Sequence, residues 1–171
     1  MCKNETYFIL MLGATILLTP LYGEMSVGIV TSINNNAKIN LLYQNIPVAC
    51  EPFGILTLEK LPMNAKSSKE CQEEINAFYK AHPHDQNYAR EHVLIQQSYH
   101  FERIKEGCIL YSNGAESYSE VLLREGLALI DPAFDLKEWN GRLKRAQQGA
   151  QMHKNGLHDT LIEKACRKEE K

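Results

Sequence analysis

Apolar and polar residues alternate in the segment that follows an N-terminal apolar run, and this alternation predicts paired β-strands. It covers residues 27–33 and 37–43, which are separated by three consecutive asparagines that favour a tight turn. A third apolar segment, residues 47–58, is interrupted by a proline and a glycine. The pattern therefore predicts a meander of three strands.

The spacing of the apolar residues then becomes helical. Residues 67–80 begin with serines, continue with acidic residues and place apolar side chains on one face, which predicts a helix. Residues 82–87 are predicted to form a polar loop. Residues 93–99 and 108–111 are predicted to be the fourth and fifth strands, separated by a mixed-charge segment.

The C-terminal third is organised around a short helix that ends at a glycine. Residues 119–129 have an apolar face, and Ser119 is a candidate N-cap because its hydroxyl can accept a backbone hydrogen bond. Gly126 stands where a chain leaves a helix through positive φ. A second helical pattern ends over residues 146–157 and is followed by a charged tail, residues 158–171.

Residues in both halves of the chain match a set of positions that is typical of one protein family. They are Ile33, Tyr43, Pro47, Thr57, Glu59, Ala77, Phe78, Tyr111, Glu120, Leu123, Glu125, Gly126, Leu127, Ala128, Leu143, Ala146, Gln147, Ala150, Lys154, Gly156 and Leu157. This set resembles the staphylococcal nuclease (thermonuclease) family over residues 27–157, and the predicted order of elements is similar to that family's order. The resemblance implies an α+β, β-rich fold: a staphylococcal-nuclease-like five-stranded OB-fold barrel with three helices, over residues 24–157.

The resemblance also implies positions for a catalytic site. Nucleases of that family hold one Ca²⁺ with two aspartates, activate water with a glutamate and bind the phosphate with two arginines. By position, Asn36 and Leu56 replace the two aspartates, so no metal site is expected. Glu59 stands at the position of the general base, and its alternative interpretation is a solvated surface carboxylate.

The two phosphate-binding positions are also changed. The first holds Glu51, whose charge would repel a phosphate. The second holds Lys105, or Arg103 if the alignment shifts by two residues, and a lysine binds phosphate less specifically than an arginine. The alternative interpretation of residues 101–106 is a mixed-charge surface turn. Glu59 and Lys105 are therefore the candidate catalytic residues, as remnants by position, and the resemblance implies a degenerate site.

Composition and charge argue against a nucleic-acid partner. The chain has 171 residues, of which 44% are hydrophobic and 23% are charged, and it fits one domain with appendages. Its formal net charge is −2. Because affinity for a polyanion depends largely on counterion release by lysine and arginine, nucleic acid is not the expected partner.

An apolar run near the N-terminus, residues 8–21, follows Lys3 and ends close to a glycine. Residues 1–23 are therefore predicted to be a signal peptide. The alternative is an uncleaved N-terminal anchor, although the run is shorter than the roughly 20 residues that span a bilayer. Under both interpretations the domain is exported, and it is periplasmic or secreted.

Export changes how the cysteines are interpreted. Cys50, Cys71, Cys108 and Cys166 follow the signal segment, and an even number in an oxidising compartment allows two disulfides in three pairings. Buried free thiols are the alternative, and the absence of a Cys-x-x-Cys spacing argues against zinc. The resemblance places two of these cysteines at inward-facing barrel positions and the others near the first helix and on the tail. It thereby implies the pairs Cys50–Cys108 and Cys71–Cys166.

Four of the six histidines fall within residues 82–100. Two of them, His82 and His84, belong to the predicted polar loop, and the other two, His92 and His100, flank a predicted strand. Without a nearby cysteine, this arrangement is interpreted as solvated loop residues and not as a metal site.

These observations predict an exported, catalytically inactive nuclease-like domain that acts as a protein-binding or scaffold module of the cell envelope, with no cofactor. The first alternative is a phosphodiester-cleaving nuclease with a modified site, which would need Ca²⁺. The second is an OB domain that binds single-stranded nucleic acid through Tyr99, Phe101, Arg103 and Lys105. Another envelope protein is the expected partner, and a membrane contact is expected only if the N-terminal segment is not cleaved.

Overall fold

The fold is α+β, with a mostly antiparallel sheet and several helices. The structure is a computed structural model, and it describes residues 25–104, 107–135 and 137–166. The predicted signal peptide, residues 1–23, and the candidate residue Lys105 lie outside the described residues.

The predicted meander is present as three antiparallel strands: β1 (Ser26–Asn35), β2 (Lys38–Tyr43) and β3 (Ile46–Cys50). The connection between β2 and β3 is a two-residue turn in which Gln44 and Asn45 both have positive φ, as a tight hairpin requires. Alternate residues of β1 and β2 point into the core, where Val30 and Leu41 are fully buried. The period-two pattern of the sequence therefore sets the register of this part of the sheet.

Three further strands extend the sheet on the other side of β1. These are β5 (Ser98–Ile104), β6 (Gly107–Asn113) and β7 (Glu116–Ser117), and the strand order is β3-β2-β1-β5-β6-β7. The fourth strand begins five residues later than predicted, because Leu94 to Gln97 form a turn in which Gln96 has positive φ. It also continues, to Ile104, into the segment that was expected to separate strands.

The edge strand β3 and the strand β6, which lies next to the opposite edge, meet at one point. Cys50 and Cys108 form a disulfide with a Cα–Cα distance of 5.0 Å, and the Cys108 N–H donates a 2.9 Å hydrogen bond to the Glu51 carbonyl. Pro52 and Cys108 make a single parallel bridge. Because one bridge is not a continuous ladder, the sheet is not a closed barrel, and the predicted closed OB-fold barrel is not confirmed.

The predicted third strand is broken in two. Pro52 carries no N–H for a ladder, and Gly54 has a φ of +68°, in a place where a Cβ would lie 2.8 Å from Phe134. The chain turns there and forms β4 (Ile55–Thr57), which pairs with β8 (Ala128–Ile130) in a separate two-stranded sheet.

The helices between β4 and β5 agree only partly with the sequence prediction. A short α1 (Leu61–Asn64) precedes α2 (Ser68–Ala81), whose N-cap is Ser67, as expected for the predicted helix. A short helix, α3 (Pro83–Gln86), occupies most of the region predicted as a polar loop, and a second, α4 (Tyr88–His92), follows it in residues for which no element was predicted. That part of the prediction is wrong because contacts from the distant β1–β2 turn stabilise these helices.

The C-terminal part begins with α5 (Tyr118–Arg124), which ends before Gly126 as predicted, with a φ of +70° at that glycine. The N-cap is Ser117 and not Ser119, because Ser117 and Glu120 form a capping box while the Ser119 hydroxyl donates to the Phe53 carbonyl at 2.8 Å.

Two further helices complete the chain. They are α6 (Lys137–His153), followed by a 3₁₀ turn (Gly156–Asp159), and α7 (Ile162–Ala165). A disulfide with a Cα–Cα distance of 4.7 Å joins Cys71 to Cys166, so both predicted pairings are present and the start of the predicted tail is held against α2. Of the helices in the described ranges, none has the length and apolar composition needed to cross a membrane.

Candidate functional site

A polar cleft of about 340 Å³ lies where the β1–β2 turn meets α2, α3 and α4. Most of the side chains that line it are carboxamides or charged groups. The lining residues are Asn34, Asn35, Asn36, Glu59, Tyr79, Gln86, Asn87, Ala89 and Arg90. The fold therefore brings Asn36 and Glu59, two positions singled out in the sequence, into one cleft.

The side chain of Asn36 is fully buried, and both ends of its amide are engaged by the backbone. The Nδ2 group donates to the Asp85 carbonyl at 2.8 Å, and Oδ1 accepts from the Ala89 N–H at 2.9 Å. The oxygen that would face a cation therefore faces a hydrogen-bond donor of α4. Asn36 holds α3 and α4 against the first turn of the sheet.

Glu59 is held by a tyrosine from α2. The Tyr79 hydroxyl donates to Glu59 Oε1 at 3.1 Å, while Oε2 is buried and has no hydrogen-bond partner within the described part of the chain. Burial, followed by the charge of Glu59, raises the pKa of Tyr79 well above its ordinary value, so the hydroxyl stays protonated and remains a donor. The Glu59 carboxylate is thus fixed in position by a hydrogen bond from α2.

Glu51, at the first predicted phosphate-binding position, is neutralised by a neighbour. Lys60 Nζ lies 2.6 Å from Glu51 Oε2, and both side chains are partly exposed. The pair carries no net charge, so it supplies no cation for a phosphate. At the second position, Arg103 is exposed on β5 opposite Cys108, and Lys105 lies outside the described residues.

Leu56 does not line the cleft. It lies on β4 opposite Leu129 and forms part of a second pocket, of about 260 Å³, together with Ile130. The two positions at which the resemblance places calcium-binding aspartates are therefore not brought together around one cation site in this fold.

Arg90 is a cleft residue that sequence reasoning missed. From α4, its guanidinium donates through Nε to the Ile33 carbonyl at 3.4 Å and through Nη2 to the Asn34 carbonyl at 3.0 Å. These partners are more than 50 residues away in sequence. No local pattern predicts such a contact, because it joins α4 to the distant β1–β2 turn.

The histidines are dispersed in the structure. His84 Nδ1 lies 3.0 Å from Glu91 Oε1, and the His92 ring stacks on Tyr88 with 3.9 Å between centroids. In the ranges that the structure describes, no three residues among His, Cys, Asp and Glu are grouped so that they could hold a metal ion.

No protein-family model matches this chain, and no curated protein matches it either. The chemistry of the cleft follows from its own side chains. Glu59 is the one carboxylate among its described lining residues, and Arg90 is the one guanidinium. Such a site can exchange hydrogen bonds with a polar ligand, but it has too few anionic oxygen ligands to hold Ca²⁺ tightly.

Proposed function

We propose that this chain is an exported, catalytically inactive member of the staphylococcal-nuclease-like group that acts as a protein-binding or scaffold module of the cell envelope. The observation that carries the loss of catalysis is the commitment of the Asn36 amide to Asp85 and Ala89. A site that has replaced its metal ligands by a backbone-bound amide and a leucine loses the electrostatic stabilisation on which phosphodiester cleavage depends.

The family resemblance is supported by the contact between its two glycine motifs. Gly126 and Gly156 both have positive φ, and the Leu157 N–H donates to the Gly126 carbonyl at 2.9 Å. A Cβ on Gly126 would lie 2.1 Å from the Asn155 carbonyl oxygen, so the close approach requires glycine. We infer that the sheet is an opened form of the five-stranded OB barrel, with β3 joined to β6 by the Cys50–Cys108 bridge.

Export is supported by the two disulfides. Bonds of this kind persist in oxidising, extracellular surroundings, whereas the cytosol keeps thiols reduced. An envelope or secreted location agrees with this chemistry, and it also suits a domain whose function is to contact other envelope proteins.

The binding function is supported by an exposed apolar surface, which we call the β1 patch. Its residues are Val27, Ile29, Leu94 and Ile95, each between 44% and 55% exposed. The turn that carries the last two is joined to β1, because the Gln96 N–H donates to the Val30 carbonyl at 2.8 Å. Apolar side chains gathered in this way on one strand and its neighbouring turn are typical of protein contact surfaces.

Substitution of the β1 patch tests the binding function. We expect the immobilised exported protein to retain a specific envelope protein that the Ile29→Ser, Leu94→Ser double variant does not retain. The captured protein, once purified, should bind the wild-type chain and bind the variant at least about tenfold more weakly. Met152→Ser on α6 is the control, because Met152 is an exposed apolar residue outside the patch, at 76% exposure. Equal binding by the double variant and the control would contradict the proposal.

A further inference from the structure

The second pocket combines an apolar floor with an acidic rim. Leu56 and Leu129, which are paired in the β4–β8 sheet, form the floor with Ile130 and with Leu61 of α1. Asp131 and Glu163 line the same pocket, the first directly after β8 and the second on α7. Among its described lining residues none is basic.

Both rim carboxylates have capacity for a further hydrogen-bond donor. Asp131 Oδ1 accepts from the Ala133 N–H at 2.9 Å, which leaves Oδ2 open within the described chain. Glu163 Oε2 lies 3.4 Å from His158 Nδ1, and the Glu163 side chain is 47% exposed. Two carboxylates beside an apolar surface favour a ligand that carries a positive charge on an apolar stem.

The size of the pocket limits the ligand. Its volume of about 260 Å³ is below the range of about 300–1,000 Å³ that is usual for sites that enclose a whole small molecule. It suits one long side chain entering from outside. The wall formed by α7 is fixed, because Ile162 is fully buried and Cys166, itself a lining residue, is bonded to Cys71.

We propose that this pocket binds a lysine side chain of the partner protein, with the four-carbon stem on the leucine floor and the ammonium group between Asp131 and Glu163. A lysine is favoured over an arginine, because its flexible four-carbon stem is apolar and its ammonium group is a compact point charge. The inference rests on the proposed protein-binding function, and it adds the chemistry that the partner presents.

Titration with a blocked lysine tests this site. We expect N-acetyl-lysine N′-methylamide to shift the backbone amide NMR signals of Leu56, Leu129 and Glu163 at concentrations up to about 50 mM. The norleucine analogue has the same stem without the charge and should bind about tenfold more weakly. The Asp131→Asn, Glu163→Gln double variant should lose that difference, while Glu73→Gln, which removes an exposed carboxylate on α2, should keep it.

Several results would overturn the inference. Equal affinity for the lysine and norleucine analogues would show that the pocket recognises only the apolar stem. If the NMR signals of the pocket amides did not shift, the pocket would not bind the lysine analogue. Spermidine binding much more tightly than the blocked lysine would identify a free polyamine, not a protein, as the ligand. The dispersion of the amide spectrum shows whether each variant is folded. Failure here leaves the β1 patch and the Glu59 cleft untouched, because neither contributes a residue to this pocket.

Discussion

A single amide, that of Asn36, connects the first turn of the sheet to the two short helices that close the polar cleft. Its two backbone partners, Asp85 and Ala89, are 49 and 53 residues away in sequence. Its carbonyl oxygen satisfies the buried Ala89 N–H, which would otherwise be buried without a partner. At this scale Asn36 is a structural residue at a position where the resemblance implies a metal ligand.

Asn36→Ala should therefore destabilise the protein by about 1–3 kcal/mol, because it leaves the buried Ala89 N–H without a partner and removes a hydrogen bond to the partly buried Asp85 carbonyl. Urea unfolding measures the loss. Asn76→Ala on α2 is a suitable control, since Asn76 is exposed and accepts only a side-chain hydrogen bond from Gln72, so its change should be below about 0.5 kcal/mol. A loss of stability in Asn36→Ala no larger than that in Asn76→Ala would show that the hydrogen bonds of the Asn36 amide do not stabilise the fold.

Among the elements, α5 is held by a network of side-chain hydrogen bonds at its N-terminus. Ser117 and Glu120 form its capping box, and Arg142 of α6 donates to both oxygens of Glu120, through Nε at 2.8 Å and through Nη2 at 2.7 Å. A second hydrogen bond from Arg142 Nη2 reaches the Ala115 carbonyl at 2.7 Å. This bidentate pair joins the start of α5 to α6, with the Glu120 side chain 10% exposed and that of Arg142 35% exposed.

The charge of Glu120 makes this junction sensitive to pH. Burial alone would raise the pKa of the carboxyl, but the hydrogen bonds from Arg142 and Ser117 outweigh burial and lower it below its ordinary value of 4.5. Because the folded pKa is lowered, the unfolded chain binds more protons as the pH falls. The stabilisation is therefore present above the ordinary carboxyl pKa and is lost as the pH falls through the folded value.

We expect Glu120→Gln to lower the free energy of unfolding by about 2 kcal/mol near neutral pH, with the difference from wild type shrinking below about pH 4.5. Urea unfolding over a series of pH values measures it. Glu73→Gln removes an exposed carboxylate 3.8 Å from Lys69 and should change little at any pH. A difference between Glu120→Gln and wild type that does not depend on pH would contradict this account.

At the scale of the whole molecule, the features that the sequence predicts are those encoded locally. The asparagine turn, the strand alternation around Val30 and Leu41, the cap of α2 and the glycine at the end of α5 each depend on a few adjacent residues. The cysteine count allowed three pairings, and the pairing present is the one that the resemblance implied. Each bridge closes a loop of more than 50 residues and contributes about 4 kcal/mol in the chain-entropy model.

The features that the sequence did not predict depend on contacts between distant segments. Helices α3 and α4 form where Asn36 supplies their hydrogen bonds, and β4 separates from β3 because Gly54 turns the chain towards β8. In the cleft, Glu59 was identified by position, whereas Tyr79 and Arg90 were not, because their roles arise only when α2 and α4 pack on the first turn. The periodicity of apolar residues along the chain contains no information on contacts between distant segments.

The absence of phosphodiester cleavage is the central claim, and digestion of DNA and RNA by the exported protein tests it most directly. We predict no cleavage with about millimolar Ca²⁺ and no change when the Ca²⁺ is chelated, because the Asn36 amide is bound by α3 and α4 and Glu51 is paired with Lys60. Calcium-dependent cleavage that is abolished by Glu59→Gln would contradict the claim and would identify the cleft as an active nuclease site.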